Sequence, residues 1–450
     1  MELSGKHIAV VGLGESGLAV VRFLCARGAQ VTANDQRDEA SLGEVADEIR
    51  GLGASVVAGG HPPRAFQTAD LIVVSPGVPD LDVLRDAVAR GVPVISEIEL
   101  ACRFIDAPIV AVTGTNGKST VTTLIGQMCE RLDRPVFVGG NLGRAMVEVV
   151  DTPAASSGGL VIVELSSFQL ERVVEFRAHV GVLLNVTADH LDRYASFEAY
   201  AAAKGRVFER QTGDDFAVLP ADQPDLRQLV AGGGAVMCFD GATGDVRVVD
   251  RNITDVQTTL RIPLGEIRLQ GLHNVSNACA ATLVARLVGV PSEDIAHVLR
   301  AFGGLAHRMQ SVGVVDGVRY IDDSKATNVG AAVASIDGLA GTPGKVVLIA
   351  GGVDKGGSYA PLRERMDARG RAVVVIGEAA RLLQQAFTDS SLQVKQAASM
   401  GDAVDSAAAL AQTGDTVLLA PACSSFDMFR SYAERGDRFQ DAVRALEGAA

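Results

Sequence analysis

The chain reads as an α/β protein of parallel sheets, arranged in three blocks. Three observations predict this. Short apolar runs alternate with amphipathic stretches along the whole chain, the pattern of strands joined by crossover helices. Several of these runs end at glycines or small polar residues, where an open α/β sheet carries its ligands. A length of 450 residues also exceeds what one core organises, since single cores stop growing at about 250–300 residues.

Composition narrows the function classes. Hydrophobic residues make up 48% and charged residues 21%, the balance of a globular chain. A net charge of −13 disfavours nucleic acid or an anionic membrane as partner, since both are bound by basic surface. The six cysteines, at 25, 102, 129, 238, 279 and 423, show no paired spacing. A disulfide framework or zinc ribbon is therefore not expected, and a reducing cytoplasm is. The N-terminus lacks a signal-peptide apolar run, and nothing approaches the ~20 apolar residues of a membrane helix. With no tryptophan and 4% aromatics, stacking platforms for single-stranded nucleic acid are not expected either.

The first block, 1–97, is Rossmann-like. The strand His7-Ile8-Ala9-Val10-Val11 runs into Gly12-Leu13-Gly14-Glu15-Ser16-Gly17, followed by a helix over 18–27. A second strand, Val31–Asn34, ends at Asp35. Alone this predicts a dinucleotide site and an NAD(P)-dependent oxidoreductase. Two alternatives stay open: glycines that serve only a tight strand–helix turn, or a cradle for another nucleotide diphosphate such as UDP.

The second block, 98–304, holds the most informative segment. Ile109-Val110-Ala111-Val112 leads into Thr113-Gly114-Thr115-Asn116-Gly117-Lys118-Ser119-Thr120 and an amphipathic stretch. Strand, glycine turn, Lys-Ser and helix make a phosphate-binding loop. Glycines let backbone N–H groups approach the phosphates, Lys118 adds a full charge and Ser119 is a Mg²⁺-ligand candidate. The usual motif has a glycine where this chain has Val112. A P-loop-type, ATP-using domain is expected. Two further strands end in chemistry, 160–163 at Glu164 and 180–184 at Asn185, the latter followed by Asp189, His190 and Asp192. A carboxylate one strand over from Ser119 suits Mg²⁺, which takes hard oxygen ligands. His190 is balanced between a functional and a hydrogen-bonded structural histidine. By composition alone, Lys204 reads as an exposed helix lysine. Residues 213–270 read as strands at a sheet edge, and Asn274–Val288 as a helix.

The third block, 305–450, reads as a second doubly wound sheet, with strands at 346–350, 372–376 and 416–420 and a C-terminal helix over 435–446. Asp323-Ser324-Lys325-Ala326-Thr327-Asn328 gathers an acid, a lysine, a threonine and an amide within six residues. Arg308 is suited to clamp a phosphate, with a surface arginine as the alternative. Lys355 and Ser425 follow strands and are candidates for a small anion. Cys423, flanked by apolar residues, reads as structural.

In order along the chain, Thr113–Thr120, Glu164-Leu-Ser-Ser-Phe-Gln-Leu170, Asn185…Asp189-His190-Leu-Asp-Arg-Tyr194 and His273-Asn274-Val-Ser-Asn277 resemble the ATP-dependent Mur ligases. Asp323–Asn328 and Pro421-Ala-Cys-Ser-Ser425 resemble the D-glutamate-adding members. The resemblance covers essentially the whole chain and implies three domains, 1–97, 98–304 and 305–450. It implies a monomer acting on UDP-N-acetylmuramoyl-L-alanine, D-glutamate and ATP with Mg²⁺. It further implies that Ser16, Asp35, Gln36 and Arg37 serve the uridine, and Asn141 and Ser166 the muramoyl substrate. Gly114, Thr115, Asn116, Gly117, Lys118, Ser119, Thr120, Asn277, Arg308 and Asp323 would contact ATP. Ser119, Glu164, His190 and Lys204 would surround the metal, with Lys204 carbamylated by CO₂; this reverses the compositional reading of Lys204. Lys325 would lie at the reacting groups, while Thr327, Lys355, Ser425 and Tyr432 would hold D-glutamate. The family often has Phe at the place of Tyr432, and Glu15 and Gln36 depart from its usual residues. A folylpolyglutamate-synthase-like ligase using another amino acid stays open beside this reading.

Overall fold

The structure, a computed structural model, describes residues 1–191, 193–269, 271–339 and 341–449. Asp192, which the sequence places beside His190, lies outside the described residues. Three separate sheets carry the chain. In the first, the strand order is Ser55–Val57, Gln30–Asn34, His7–Val11, Leu71–Val74, Val94–Ser96, all parallel. The order reverses between His7–Val11 and Leu71–Val74, and the glycine turn sits at that switch point, where such sheets bind ligands. Gly12 has φ +87°. A Cβ on Gly17 would lie 1.9 Å from the Gly12 carbonyl oxygen, so this glycine lets the helix Glu15–Ala26 close onto the turn. Around Gly14 no protein atom lies within 4 Å of where a side chain would begin.

The middle sheet centres on Ile109–Thr113, which lies between Leu160–Glu164 and Val180–Leu183 and is parallel to both. All three strands are buried along their length, as expected of parallel strands covered on both faces. Their carboxyl ends emerge side by side at Thr113, Glu164 and Leu183. Val136–Gly140 flanks Leu160–Glu164 on one side. On the other, Phe216–Pro220, Ala235–Phe239, Val246–Val249, Asn252–Asp255 and Arg261–Pro263 extend the sheet to its edge, where 213–270 was expected to form strands.

The third sheet runs Gln310–Val315, Val318–Asp322, Thr416–Leu419, Val346–Gly351, Gly370–Ile376, Gln393–Gln396. Its first pair is an antiparallel hairpin and the rest are parallel. Successive residues of Val346–Gly351 feed opposite faces: Leu348 packs with Ile336 and Leu362, while Val347 and Ile349 pack with Val404 and Phe439. Helices thus cover both sides, as a doubly wound sheet requires. The helix Tyr432–Ala449 begins three residues earlier than its sequence pattern suggests, which brings Tyr432 into it.

By contacts the chain forms two compact units. One comprises Met1–Val186, Glu198–Arg261 and Ala278–Val298; the other comprises Thr187–Phe197, Ile262–Asn277 and Leu299–Ala450. The first sheet and all of the middle sheet but its edge strand Arg261–Pro263 share a unit, and the helix Glu97–Cys102 supplies a reason. It leaves the last strand of the first sheet and carries two buried carboxylates. Glu99 Oε2 accepts the backbone N–H groups of Val174, Glu175 and Phe176 at 2.8, 3.0 and 3.1 Å. Glu97 Oε1 accepts that of Val147 at 2.6 Å. Burial pushes the Glu97 carboxyl up to about 7, against the pull of the Val147 and Met146 N–H groups.

All six cysteines are free, and no helix among the described residues is long and apolar enough to cross a membrane. Replacing Gly17 with Ala should force the helix off the turn and cost about 1–3 kcal/mol. Calorimetry should show this as a lower transition temperature for the first sheet; an unchanged transition would contradict the close approach.

Candidate active site

The phosphate loop is held open by its neighbour strand. Gly114 has φ +148° and Gly117 φ +86°, and the helix Lys118–Cys129 starts directly after them. Asn185, just past the strand Val180–Leu183, grips the loop three times. Its carbonyl oxygen accepts the Thr115 N–H at 2.9 Å, its Oδ1 accepts the Asn116 N–H at 2.9 Å, and its Nδ2 donates to the Asn116 carbonyl at 3.0 Å. Lys118 Nζ curls back to the carbonyls of Gly114 and Thr115, both at 2.9 Å. Ser119 and Thr120 are buried at the first turn of the helix. Val112 needs no glycine, because it is still a strand residue here, fully buried and in register with Glu164 and Val182.

Lys204 corrects its compositional reading: it is 1% exposed. The helix Phe197–Gly205 carries it to the loop, where Nζ donates to the Gly114 carbonyl at 2.8 Å and lies 4.5 Å from the centre of the Tyr200 ring. Tyr200 in turn meets Thr115 Oγ1 at 3.2 Å. Glu164 is 3% exposed; its Oε1 accepts from Asn141 Nδ2 at 2.8 Å, and its Oε2 is buried with no hydrogen-bond partner among the described residues. An orphaned carboxylate oxygen beside a phosphate loop fits a hard divalent cation. Ser166 caps the short helix Ser167–Leu170, accepting from the Gln169 N–H at 3.3 Å.

In the same unit a cavity of about 740 Å³ opens at the first sheet's switch point, lined by Gly14, Ser16, Asp35, Gln36, Arg37 and Asn141 among others. The Asp35 carboxylate is engaged on both oxygens. Oδ2 accepts from the Leu13 N–H at 2.7 Å and Arg37 Nη2 at 2.9 Å, and Oδ1 from the Arg37 N–H at 2.9 Å and Nε at 3.0 Å. Burial works to raise this carboxyl, but the four donors hold it down at about 2. His61 also lines the cavity and was not singled out in the sequence.

The second unit holds His190, Asn277, Arg308, Asp323, Lys325, Thr327, Lys355, Ser425 and Tyr432. His190 has φ +55°, and its N–H donates to Asp189 Oδ1 at 3.0 Å. Asp189 also accepts from Asn328 Nδ2 at 3.0 Å and pairs with Lys355 Nζ at 3.4 Å. A cavity of about 260 Å³ lies here, with Asp189, Asn328, Lys355 and Tyr359 in its wall. Thr327, Ser425 and Tyr432 are not part of that wall. Lys325 Nζ lies 3.7 Å from the centre of the Tyr432 ring. Asn277 Nδ2 donates to Asn274 Oδ1 at 3.2 Å. Asp323 is bonded to Ser335 Oγ and the Met309 N–H. Burial raises its carboxyl to about 6, opposed by these bonds and by the Arg308 guanidinium. Cys423 is fully buried, which pushes its thiol up to about 11; it is the inert, structural cysteine expected.

Arg435 is a residue that no sequence motif singles out. It is the largest fully buried side chain of the chain's described residues. Nε donates to Ser324 Oγ at 3.0 Å and Nη2 to the Ser324 carbonyl at 2.8 Å. Nη1 reaches the carbonyls of Cys423, Ser424 and Gly351 at 3.1, 3.2 and 3.4 Å. One guanidinium thus ties together the three strand-end loops that carry Lys325, Lys355 and Ser425. Burial among neutral acceptors lowers its pKa to about 10, so it stays charged at neutral pH. Its only sequence signal was its place at the beginning of the expected C-terminal helix.

A cavity of nucleoside size and a phosphate loop with a buried carboxylate beside it are the marks of a nucleotide-using enzyme. Residues 6–96 match the N-terminal domain of Mur ligases of MurD type, 112–285 the Mur ligase middle domain and 307–423 the Mur ligase glutamate ligase domain. The chain belongs to the Mur ligase family. Among its relatives is the UDP-N-acetylmuramoylalanine--D-glutamate ligase of Desulfosudis oleivorans, 44% identical over 99% of this chain and 98% of that protein. The ligase of the same name from Trichlorobacter lovleyi is 45% identical over 99% and 100%. Among solved structures, the UDP-N-acetylmuramate-alanine ligase of Thermotoga maritima matches with TM-score 0.61 at 18% identity, over 99% of this chain and 100% of that one. MurF of Acinetobacter baumannii matches with TM-score 0.62 at 18% identity, over 97% and 93%. These last two share the fold.

Arg435→Lys keeps the charge but loses the planar fork. It should leave buried carbonyls unpaired and lower stability by about 1–3 kcal/mol. Thermal unfolding of the intact chain measures this; an unchanged midpoint would show that the guanidinium is not what holds the loops.

Proposed function

We propose that this chain is an ATP-dependent amide ligase that joins D-glutamate to UDP-N-acetylmuramoyl-L-alanine through an acyl phosphate, in peptidoglycan precursor synthesis. One observation carries the reading: the loop Gly114–Thr120, built for a triphosphate, lies in a chain about 44% identical from end to end to ligases named for that reaction. The domains are 1–97 for the UDP end of the substrate, 98–304 for ATP and 305–450 for the amino acid and part of ATP. The enzyme acts as a cytoplasmic monomer. The dehydrogenase alternative loses its basis, because the chain matches ligases over 99% of its length and the Gly12–Gly17 cradle serves a uridine diphosphate as readily as a dinucleotide.

Ser16, Arg37 and Asn141 bind the uridine and muramoyl parts, with Asp35 holding Arg37 in place among them and Ser166 beside them. The loop Gly114–Thr120 surrounds the phosphates of ATP, with Lys118 and the N–H groups that Asn185 does not take holding them, and Asn277, Arg308 and Asp323 complete its contacts. Mg²⁺ would be held by Ser119, Glu164, His190 and Lys204, and when bound it neutralises charge on the phosphate oxygens. The orphaned Glu164 oxygen supports this. Lys204 would serve as a carbamate, formed by adding CO₂ to the neutral amine with loss of a proton, whose two oxygens share one negative charge and would supply hard ligand atoms.

The alanyl carboxylate attacks the γ-phosphate, and ADP leaves. Lys118 and the loop N–H groups stabilise the charge on the transferring group. The amine of D-glutamate, once deprotonated, attacks the acyl carbon and phosphate departs; His190 takes that proton or holds a ligand. Lys325 steadies the reacting carboxylate and phosphate. Lys355, with the hydroxyls of Thr327 and Ser425 and the ring of Tyr432, receives the two carboxylates of D-glutamate.

The deciding assay is phosphate release from ATP with UDP-N-acetylmuramoyl-L-alanine and each of several amino acids. D-Glutamate should support turnover; a requirement for another amino acid would replace the reading with another ligase. Lys118→Ala should lower kcat by about 3–4 kcal/mol of transition-state stabilisation, and near-normal turnover would remove the loop from catalysis. Lys204→Ala should lose activity that short carboxylic acids partly restore. No rescue, with no added carbamate mass on the intact protein, would argue against the modification.

A further inference from the structure

Within the 740 Å³ cavity, His61 has an environment too specific for a loop histidine. It follows Gly59 and Gly60, which have φ +80° and +139°. That turn is sewn to the end of the neighbouring strand. Asn34 Nδ2 donates to the carbonyls of Val57 and Gly60 at 3.0 and 2.8 Å. The Asp35 N–H donates to the Val57 carbonyl at 3.1 Å, the Gly60 N–H to the Asp35 carbonyl at 3.3 Å and the Gly59 N–H to the Arg37 carbonyl at 2.8 Å. Five bonds therefore hold the loop against the turn that carries Asp35 and Arg37.

These bonds also set the histidine's chemistry. Both amide hydrogens of Asn34 are spent on carbonyls, so its Oδ1 is the atom that meets His61 Nδ1. Oδ1 only accepts; Nδ1 must therefore carry the proton. In a neutral imidazole the other nitrogen, Nε2, is then an acceptor, and it is the one left to offer a ligand. Burial lowers the affinity of the ring for a second proton, outweighing the nearby Asp35 carboxylate. That carboxylate is already committed to Leu13 and Arg37, and the other charged groups in the cavity wall are Arg37 and Glu15. Beside the glycine-turn N–H groups and the guanidinium, which are donors, the wall carries Glu15, Ser16, Gln36, Ser75 and Asn141, whose oxygens can accept; His61 differs from these in the tautomer that Asn34 fixes.

We propose that His61 is a specificity residue of this pocket, accepting through Nε2 a hydrogen bond from a donor on the nucleoside, either the uracil N–H or a ribose hydroxyl. The inference rests on the pocket's taking the UDP end of the substrate. An acceptor fixed in one tautomer disfavours a ligand that lacks the matching donor, because binding then covers this half-buried acceptor and leaves it unpaired.

Calorimetric titration of the intact protein with UDP tests this, using the wild type, His61→Ala and His61→Gln. His61→Ala should weaken UDP about tenfold, the loss expected for one hydrogen bond. His61→Gln, whose amide oxygen can stand in for Nε2, should recover part of it. UDP methylated at uracil N3 and UDP lacking a ribose hydroxyl identify the donor. The analogue without the donor should bind wild type about tenfold more weakly, yet lose nothing further in His61→Ala. Binding of UDP to His61→Ala within twofold of wild type would overturn the proposal. So would equal losses for UDP and every analogue, since these would mark a purely structural role. If wild type binds no UDP at all, the reading of the pocket falls, and this inference with it.

Discussion

One asparagine side chain and its own carbonyl keep the phosphate loop in shape. Backbone N–H groups that point at a phosphate cannot also be satisfied within the loop, so the loop's form has to be imposed from outside. Asn185 does this from the adjacent strand end, pairing with Thr115 and Asn116. The parallel register of Val180–Leu183 against Ile109–Thr113 brings it there. The same alignment explains why the loop is short. The strand continues to Thr113, so position 112 is a core residue and valine suits it better than glycine. Glu164 ends the strand on the other side, and its free oxygen follows from the same register.

Both units use buried charge to place loops, in opposite senses. In the first, Glu99 gathers backbone N–H groups from 174–176 and bolts one sheet's last helix to the next sheet. In the second, Arg435 gathers carbonyls from three strand-end loops. Each replaces lost hydration with several fixed dipoles, the condition under which a buried charge is tolerated. A hydrophobic side chain would fill either space but would leave the loop backbones unpaired.

The elements that carry chemistry at strand ends were legible, because glycine turns and terminal acids follow from local backbone rules. The phosphate loop, Glu164 and the β-rich edge at 213–270 are of this kind. Lys204 was not legible from its own surroundings. Its neighbours Ala201, Ala202 and Ala203 look like any exposed helix, and only the meeting of that helix with Gly114, ninety residues away, buries it. Arg435 and His61 were invisible for a related reason, since what defines them is a set of partners scattered through the chain. The grouping of the first sheet with all but the edge strand of the middle one likewise depends on long-range carboxylate bonds, whereas composition shows only where a sheet begins and ends.

Asp35 shows how the same residue can fit a sequence rule while its environment differs. An acid at the end of the second strand of a dinucleotide fold reads a ribose hydroxyl, and a carboxylate has about four acceptor sites to do so. Here four donors from Leu13 and Arg37 already occupy them. What the carboxylate presents to the cavity is therefore the cation it holds: Arg37, whose Nη2 also reaches the Leu13 carbonyl at 3.0 Å. A guanidinium fixed above a glycine turn favours a diphosphate. It leaves the task of accepting a hydrogen bond to another residue of the wall, and the ring held by Asn34 is placed to take that task.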